Sequence, residues 1–311
     1  MPASASAISQ LQAKVWSGHL PLEIRLAASD CRSYDQADPY LINVPRLSYL
    51  PFIFPRLHAF FSSSLIDPTV APHEAWLSFE GVPLKWHYPV GLLYDLHCGM
   101  QADSDEQDLG QEEGNGDVIP WKITLHFTDY PLEKLMRMDE EYKVLLDTFI
   151  NSVKEADFIR NGTAKVAMGM SKSDSVTLLN SIQTHNLTSF NSVNNKFLNP
   201  PGSALRHTPI KLYLPSAPPE TDASTGEAPQ AGRIRVVQSL VAPLTPSRQV
   251  VTLGQALKTI LPAVFPSPRN PVLARPVMHG AMVPMSAPVE ELLRAASYTD
   301  GFLHIAVMML G

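Results

Sequence analysis

The stretch Glu74–Leu96 has the sequence EAWLSFEGVPLKWHYPVGLLYDL and combines strand, turn and helix signals in one short segment. Its large apolar and aromatic residues occur at every second position on either side of a turn at residues 81–83: Leu77, Phe79, Leu84, Trp86 and Tyr88. A period of two predicts half-buried strands, so the stretch predicts a β-hairpin. Pro89 then predicts a short apolar helix over Val90–Leu96, because proline is favoured in a first helical turn.

The order of elements around this hairpin occurs twice along the chain. The first copy is predicted to contain strands Lys14–Ala27 and Tyr40–Val44, helix Leu47–Phe61, the hairpin, the short helix and strand Trp121–Phe127. The second is predicted to contain strands Ile210–Leu214 and Arg233–Val241, helix Thr252–Ile260 with Thr252 as its cap, strand residues over Arg275–Met285 that turn at Gly280, helix Glu290–Ala296 and strand Phe302–Leu310. A strand-strand-helix-strand-strand order predicts a ubiquitin-like β-grasp, in which one sheet wraps around a helix.

The segment between the two copies has helical periodicity. Apolar residues recur at helical spacing across Asp139–Arg160, whose first turn is acidic, and across Asp174–Leu187, which follows the candidate cap Ser173. Gly162 and Gly169 separate the two predicted helices. We therefore predict an α+β protein with two ubiquitin-like β-grasp domains on either side of a helix-rich domain. The predicted division is a short N-terminal helical segment (1–13), a first ubiquitin-like domain (14–130), the helix-rich domain (131–205) and a second ubiquitin-like domain (206–311).

Composition and charge argue against several classes of protein. A formal charge of −6 disfavours a nucleic-acid-binding protein, which usually has a basic domain. Much of the acidity lies in residues 101–118, where a solvated loop is expected, and the proline-rich residues 216–232 are predicted to be a disordered insertion. The first residues lack the features of a signal peptide, and no apolar run approaches the ~20 residues that span a bilayer. We therefore expect a soluble, cytosolic protein.

The chain has no recognisable catalytic, nucleotide-binding or metal-binding motif. GxxxxGK[ST], GxGxxG and GxSxG are absent, and the ten histidines show neither HxH nor HExxH spacing. Cys31 and Cys98 lie far apart, which suggests neither a zinc site nor a disulfide. His97 precedes Cys98, but adjacent side chains rarely meet, so a Cys98 nucleophile is a weak alternative. We expect no cofactor and no metal.

Several segments in a fixed order resemble one protein family. FEGVPLKWHYPVGLLYDL, at the centre of the opening stretch, resembles the signature of the autophagy protein 5 family. The other landmarks are PYLINVPRLSYL (Pro39–Leu50), NSVKEADFI (Asn151–Ile159), HTPIKLYLP (His207–Pro215) and DGFLHIAVM (Asp300–Met308). The resemblance spans nearly the whole chain and points to a fungal member. It implies the same two ubiquitin-like domains flanking a helical domain.

The resemblance also implies a role as a non-catalytic acceptor in autophagy. In the family, the lysine of VKEAD, which is Lys154 here, receives the C-terminal glycine of the ubiquitin-like autophagy protein 12 through the conjugating enzymes of the autophagy system. The conjugate binds the N-terminal helix of autophagy protein 16 and promotes lipidation of autophagy protein 8 during autophagosome formation. The family is cytoplasmic and peripheral on the preautophagosomal structure membrane. The residues alone place Lys154 about 140° around the helix from the apolar Phe149. This position is typical of any solvated lysine and does not by itself indicate an acceptor.

The partner surfaces are expected in outline only. The groove for the partner helix should lie between the two β-grasp domains and the helical unit. Trp16 is a weak candidate for this groove, with core packing as the alternative. Two arginine pairs could contact anionic lipid, although such pairs are usually solvated: Arg233 with Arg235, and Arg269 with Arg275. Two alternative functions remain, a non-covalent interaction module of the autophagy machinery and a thiol-dependent ligase that uses Cys98.

Overall fold

A computed structural model describes residues 5–33, 37–98, 120–200, 204–216 and 233–310. The predicted acidic loop 101–118 lies outside these ranges, as does all of the predicted insertion 216–232 except Ser216. The described elements form two five-stranded sheets with a helical region between them and a short helix at the N-terminus. This arrangement confirms the predicted fold class.

The first sheet has the strand order β2-β1-β5-β3-β4. Its elements are β1 (His19–Leu26), β2 (Tyr40–Pro45), α2 (Phe54–Phe61), β3 (Trp76–Phe79), β4 (Val82–Pro83), α3 (Val90–His97) and β5 (Trp121–His126), with 3₁₀ turns at Ala28–Asp30, Leu50–Ile53 and Pro72–Glu74. Strand β1 pairs in parallel with β5, and the other neighbouring strands are antiparallel. Phe54, Leu57 and Phe61 form the buried face of α2, which the sheet covers. The first sheet and α2 therefore share one apolar core.

The second sheet repeats this topology in the order β7-β6-β10-β8-β9. Its elements are β6 (Thr208–Ser216), β7 (Arg233–Val241), α8 (Leu253–Ile260), β8 (Ala274–Met278), β9 (Ala281–Met282), α9 (Val289–Ala296) and β10 (Leu303–Met309). The predicted cap Thr252 is confirmed, because its hydroxyl accepts a hydrogen bond from the Gln255 backbone N–H at 3.4 Å. The Gln255 side chain accepts one in return from the Thr252 backbone N–H at 2.9 Å. These two bonds satisfy donors that the first turn of α8 would otherwise leave unpaired.

The remaining helices lie before the first sheet and between the two sheets. They are α1 (Ala5–Trp16), α4 (Lys143–Asn161), α5 (Lys165–Met168), α6 (Lys172–Gln183), α7 (Leu187–Val193) and a π-helical turn at Asn194–Leu198. Gly162 ends α4 with a φ of +72°, a conformation that favours glycine, as its predicted role at a helix break requires. The core of the second sheet is continuous with that of the helical region, whereas the first sheet has a separate core.

Two predicted strands begin or end elsewhere. The strand predicted from Lys14 begins at His19, because Lys14–Trp16 continue helix α1. The second arm of the hairpin ends at Pro83, and a turn closed by the Tyr88 N–H on the Lys85 carbonyl follows. Leu84, Trp86 and Tyr88 therefore do not share a strand face. Leu84 belongs to the core of the first sheet and Trp86 to the core of the helical region.

Three predicted helix starts are also wrong. Helix α4 begins at Lys143, and the Asp139 carboxylate caps it from outside by accepting the Lys143 and Val144 N–H groups at 3.0 and 2.8 Å. The cap of α6 is Ser171 and not Ser173, because Ser171 and Asp174 exchange side-chain to backbone hydrogen bonds at 3.0 and 3.2 Å. In the predicted helix Leu47–Phe61, only Phe54–Phe61 is α-helical. Pro51 lies in the preceding 3₁₀ turn.

Candidate modification site on helix α4

The VKEAD segment, Val153–Asp157, forms the middle of helix α4, which packs against the second sheet. Val153 is buried in the core that the helical region shares with the second sheet. Ala156 packs with Ile159 and Phe302 in a small separate cluster. These two residues fix the side of α4 that faces the protein interior.

Polar contacts fix the same helix to strands β6 and β7. The Glu155 carboxylate accepts hydrogen bonds from Lys211 Nζ on β6 at 2.8 Å and from Gln238 Nε2 on β7 at 3.1 Å. One turn earlier, Ser152 Oγ donates to Asp300 Oδ2 at 2.7 Å. Two strands and the segment before β10 therefore hold one turn of α4.

Asp157 and Arg160 join α4 to the rest of the helical region. Asp157 accepts hydrogen bonds from Asn161 Nδ2 at 2.6 Å and from the Ala167 N–H at 2.8 Å, which fixes the start of α5. The buried Arg160 guanidinium donates to the Leu198 carbonyl, and to the Gly301 carbonyl at 2.8 Å. Burial lowers the pKa of Arg160 to about 10, so it is still protonated at neutral pH.

Lys154 differs from the other four residues of the motif. Its side chain is half-buried, and within the described residues no hydrogen bond or ion pair holds its ammonium group. On the same side of α4, Asn151 is exposed and Phe158, one turn after Lys154, is 58% exposed. Lys165 and Lys172 are also exposed, but they lie at the starts of α5 and α6. The other four motif residues hold the helix in place, and Lys154 lies on the outer side of the same turn.

Sequence reasoning missed the buried polar network that supports this turn. Asp300 accepts a hydrogen bond from Ser152 and lies 2.9 Å from His304 Nε2, while His304 Nδ1 lies 2.7 Å from the Tyr213 hydroxyl. Burial alone would raise the pKa of Asp300, but His304, the Ser152 hydroxyl and the Phe302 N–H lower it well below its ordinary value. Asp300 is the first residue of the landmark DGFLHIAVM. An isolated acid directly before a buried strand is the one sequence feature that could have indicated this network.

Cys98 has neither the environment nor the geometry of a reactive thiol. Burial, together with the charges of Glu80 and Asp95, raises the pKa of Cys98 to about 12. In the described part of the chain no hydrogen bond joins Cys98 to the preceding His97, and burial lowers the pKa of that histidine. Cys31 and Cys98 do not form a disulfide. A thiolate at neutral pH is therefore disfavoured at Cys98.

Trp16 is buried inside the chain. Its indole N–H donates to the His185 carbonyl at 3.2 Å, and its ring stacks on His185 with centroids 5.4 Å apart. Near it, Gln12 Nε2 donates to the Arg294 carbonyl at 2.7 Å, which joins α1 to α9. A narrow cleft of about 40 Å³ runs between α1, α7 and α9 and is lined in part by Trp16, Leu47, Phe190, Arg294 and Thr299. Trp16 is thus mainly a packing residue that also borders this cleft.

A wider cleft also borders the helical region. It has a volume of about 290 Å³ and separates the start of α2 from α4 and α6. Its apolar lining includes Phe52, Leu146, Val176 and Leu179. Its residues come from segments that are far apart along the chain, so no local sequence pattern predicts this cleft.

Neither a metal-binding cluster nor a membrane-spanning helix is present in the described ranges. No cluster of three or more histidine, cysteine, aspartate or glutamate residues there could hold a metal ion. None of the helices there is long and apolar enough to cross a membrane.

Three models of one family match successive parts of the chain. The UblA domain of autophagy protein ATG5 matches residues 15–127, its alpha-helical bundle region matches 143–200, and its UblB domain matches 207–307. The chain belongs to the autophagy protein 5 family. The UblA match contains the first sheet, the UblB match contains the second sheet except for the last two residues of β10, and the helical-bundle match contains α4 with Lys154. The three matches thus cover both sheets and the helical region between them, whereas most of α1 precedes the first match.

Individual relatives agree with this family membership. Autophagy protein 5 of Neosartorya fischeri is 51% identical over 326 aligned positions, which cover 98% of this chain and 97% of the relative. That of Aspergillus fumigatus is 50% identical over 324 positions, with 98% and 96% covered. The crystal structure of Kluyveromyces marxianus Atg5 has a TM-score of 0.72 at 20% identity and covers 96% of this chain and 99% of its own. These fungal relatives support the fungal origin that the sequence analysis expected, and the crystal structure supports the fold.

Proposed function

We propose that this chain is the acceptor of a ubiquitin-like modifier and that the acceptor group is Lys154. In this proposal the C-terminal glycine of autophagy protein 12 forms an isopeptide bond with Lys154 Nζ. The observation that carries the proposal is the division of roles within VKEAD. Val153, Glu155, Ala156 and Asp157 hold the helix, and within the described residues Lys154 has no hydrogen-bonded or ionic partner.

The geometry suits an amine that another enzyme must activate. A lysine ammonium has no free lone pair, so the conjugating enzyme has to remove a proton before the amine attacks the thioester of the modifier. The new bond joins the amine nitrogen to the glycine carbonyl carbon, and the enzyme's thiol is the leaving group. A lysine on a helix that is fixed at Ser152 and Glu155 reaches this enzyme in a defined position. The exposed Phe158 provides an apolar contact one turn away.

The conjugate then acts as a scaffold without catalytic residues of its own. It binds the N-terminal helix of autophagy protein 16 and promotes lipidation of autophagy protein 8 during autophagosome formation. The α1–α7–α9 cleft, which Trp16 borders, is where we propose the partner helix enters. We further propose that the protein is cytoplasmic, works with the conjugating enzymes of the autophagy system, and contacts the preautophagosomal membrane peripherally.

The test is conjugation in starved cells, followed by peptide mass spectrometry for a modifier remnant on lysine. We expect the remnant on Lys154 alone, complete loss of the conjugate in Lys154→Arg, and normal conjugation in the matched controls Lys165→Arg and Lys172→Arg. Conjugation that persists in Lys154→Arg would refute the acceptor role. If the wild-type chain formed no conjugate and lipidation were nevertheless normal, the non-covalent interaction module would be favoured. If Cys98→Ser abolished lipidation while leaving the conjugate intact, the thiol-dependent ligase would be favoured instead.

A further inference from the structure

Within the described residues, the two sheets have four edge strands of different length. The edge strands β4 and β9 have two residues each, and β2 has six residues and ends at Pro45. Strand β7 has nine residues and contains neither proline nor lysine. Proteins commonly shorten or cover their edge strands, or place proline or lysine in them, because an open edge pairs readily with another strand. None of these protections is present in β7.

The outer side of β7 has no strand beside it. Within the described residues β7 pairs with β6 alone, in antiparallel register. No backbone hydrogen bond joins residues 234–241 to any other described part of the chain. In an antiparallel pair, about half of the residues direct their N–H and C=O groups away from the partner strand. We name this row of donors and acceptors, with the side chains of residues 234–241, the β7 edge.

The β7 edge exposes apolar side chains on one face of the sheet. Val236, Gln238 and Leu240 share this face, because successive side chains of a strand alternate between its two sides. Gln238 bonds to Glu155, so the face is the one that α4 covers further along the sheet. Val236 and Leu240 are 43% and 62% exposed. A strand added beside β7 would therefore bury apolar surface while it pairs the free backbone groups.

The charge of the β7 edge indicates which kind of strand it accepts. Arg235 is the only charged residue of the edge, and it is exposed on the face opposite Val236. No hydrogen bond or ion pair holds the Arg235 guanidinium within the described residues. Residues 233–251 contain three arginines and no aspartate or glutamate, although the chain has a formal charge of −6. A second copy would bring like charges together, so an acidic strand is the occupant that charge favours.

We propose that the β7 edge binds an extended segment of a partner protein as an added strand of the second sheet. In this mode of recognition, main-chain hydrogen bonds provide affinity and alternate side chains provide specificity. The bound segment places apolar side chains against Val236 and Leu240 and an acidic side chain beside Arg235. The segment therefore alternates apolar with acidic residues. This binding uses neither Lys154 nor the α1–α7–α9 cleft, so it goes beyond the proposed function.

The probe is a fluorescein-labelled peptide of about ten residues in which valine alternates with glutamate, and its binding is measured by fluorescence anisotropy. The purified full chain is used, because residues 217–232, which precede β7 outside the described ranges, contain Glu220, Asp222 and Glu227. We expect this peptide to bind. The same peptide with every amide N-methylated keeps its side chains but loses its donors, so it should bind at least about tenfold more weakly. A peptide with lysine in place of glutamate should bind about fivefold more weakly, because it faces Arg235.

Variants of the β7 edge separate the apolar from the charged contacts. The double variant Val236→Thr/Leu240→Thr should weaken binding about tenfold, because it removes the apolar contacts while threonine still favours a strand. Arg235→Glu should weaken binding of the glutamate peptide about fivefold and strengthen binding of the lysine peptide by a similar factor. The matched controls are Leu41→Thr on the edge strand β2 and Arg56→Glu on α2. Both positions are exposed, and both controls should bind like the wild type.

Hydrogen exchange locates the bound peptide. Binding should slow the exchange of backbone amides in the β7 edge, because the added strand pairs with them. Exchange in the edge strand β2 should stay as it is in the free chain. Protection of β2, or of neither edge, would contradict strand addition at β7.

Other results would also overturn the proposal: a wild-type chain that does not bind the glutamate peptide, an N-methylated peptide that binds equally well, or β7 variants that bind like the two controls. A wild-type dimer that Val236→Thr/Leu240→Thr dissociates would assign the edge to a second copy instead. Conjugation at Lys154 is measured on the same variants and should be unchanged, because they keep the Gln238–Glu155 bond. Peptide binding should likewise be unchanged in Lys154→Arg, so this proposal and the acceptor function are tested separately.

Discussion

The first and second sheets have the same strand order, but their cores have different neighbours. The first sheet closes on α2 around an apolar core of its own, to which Leu57 and Leu77 belong. The core of the second sheet, which includes Leu257 and Leu293, continues into α4, α6 and α7. The second sheet and the helical region are therefore one packing unit, and Lys154 lies on the part of it that both share.

The equivalent hairpin turns show the same difference. Glu80–Gly81 and His279–Gly280 both have positive φ at each residue, which suits the twist of a tight hairpin. A Cβ at Gly81 would meet nothing within 4 Å, so the first turn is open to solvent. In the second turn the Gly280 N–H donates to Asp95 Oδ2 of the first copy at 2.9 Å. A side chain at Gly81 would therefore have free space around it, whereas the turn at Gly280 joins the second copy to the first.

Matched cavities in the two cores should give the largest effects. Leu57→Ala and Leu257→Ala each remove a fully buried side chain, and each should cost about 2–5 kcal/mol of unfolding free energy. Because Leu57 lies in the separate core, its loss should speed hydrogen exchange only in the first copy. Loss of Leu257 should also speed exchange in α4 and α6. If exchange in Leu257→Ala increased only in the second sheet, the second sheet and the helical region would be independent and not one packing unit.

The two turn glycines provide a second matched pair. Gly81→Ala should cost about 1 kcal/mol, because alanine is strained at positive φ but has free space there. Gly280→Ala should cost about 2–4 kcal/mol, because its Cβ would lie 3.1 Å from the Arg46 guanidinium. That guanidinium is buried and bonded to Asp95 and to the Gly91 carbonyl. Urea unfolding midpoints measure both costs. Equal costs would contradict the conclusion that the second turn packs against the buried Arg46–Asp95 pair.

The parts of the fold that local pattern decides could be predicted from the sequence. The order of elements, the Thr252 cap and the break at Gly162 depend on residues a few positions apart, and all three are present. The segment after Pro83 was predicted incorrectly, because Leu84, Trp86 and Tyr88 alternate as a strand would. Instead, Leu84 packs in the core of the first sheet, and Trp86 packs in the core that the helical region shares with the second sheet. The Trp86 indole N–H donates to the Met136 carbonyl at 2.9 Å, a partner that a period-two pattern cannot reveal.

The environment of the candidate site was harder to predict than its lysine. Family resemblance and helical spacing identified Lys154 and its helix. The contacts that fix the helix come from Lys211 and Asp300, far along the chain from Ser152 and Glu155. Such contacts depend on how the sheets pack, and single-sequence periodicity carries no information about them. The buried Arg46–Asp95 pair was missed for the same reason.

The second turn should also respond to pH. Burial lowers the pKa of His279 from 6.5 to about 4, and its Nε2–H donates to the Ala296 carbonyl at 2.8 Å. Between pH 6.5 and 4 the unfolded chain therefore binds more protons at His279 than the folded chain. The free energy of unfolding that depends on neutral His279 is fully present above pH 6.5 and is lost as the pH falls through that window. The loss attributable to His279 should be about 2 kcal/mol between pH 7 and pH 5.

The variant His279→Asn should reduce this pH dependence, since asparagine tolerates the positive φ and does not titrate. The control is Tyr298→Phe, which keeps the ring that stacks on His279 at 4.2 Å. Unfolding midpoints at pH 7 and pH 5 give the slope for each protein. Equal slopes in His279→Asn and wild type would mean that other groups cause the acid sensitivity.

The smallest expected effect concerns the link between α4 and the second sheet. Glu155→Gln removes the ion pair with Lys211, and because the Glu155 side chain is 45% exposed the cost should be only about 0.2–1 kcal/mol. Hydrogen exchange should nevertheless increase around residues 150–158, because Glu155 bonds to both β6 and β7. The matched control is Glu141→Gln, which breaks the more exposed pair with Lys143 next to the start of the same helix. If both variants left exchange in α4 unchanged, the Glu155 contacts would be unnecessary, and the Ser152–Asp300 bond with the apolar contacts of Val153 and Ala156 would be enough to hold the helix.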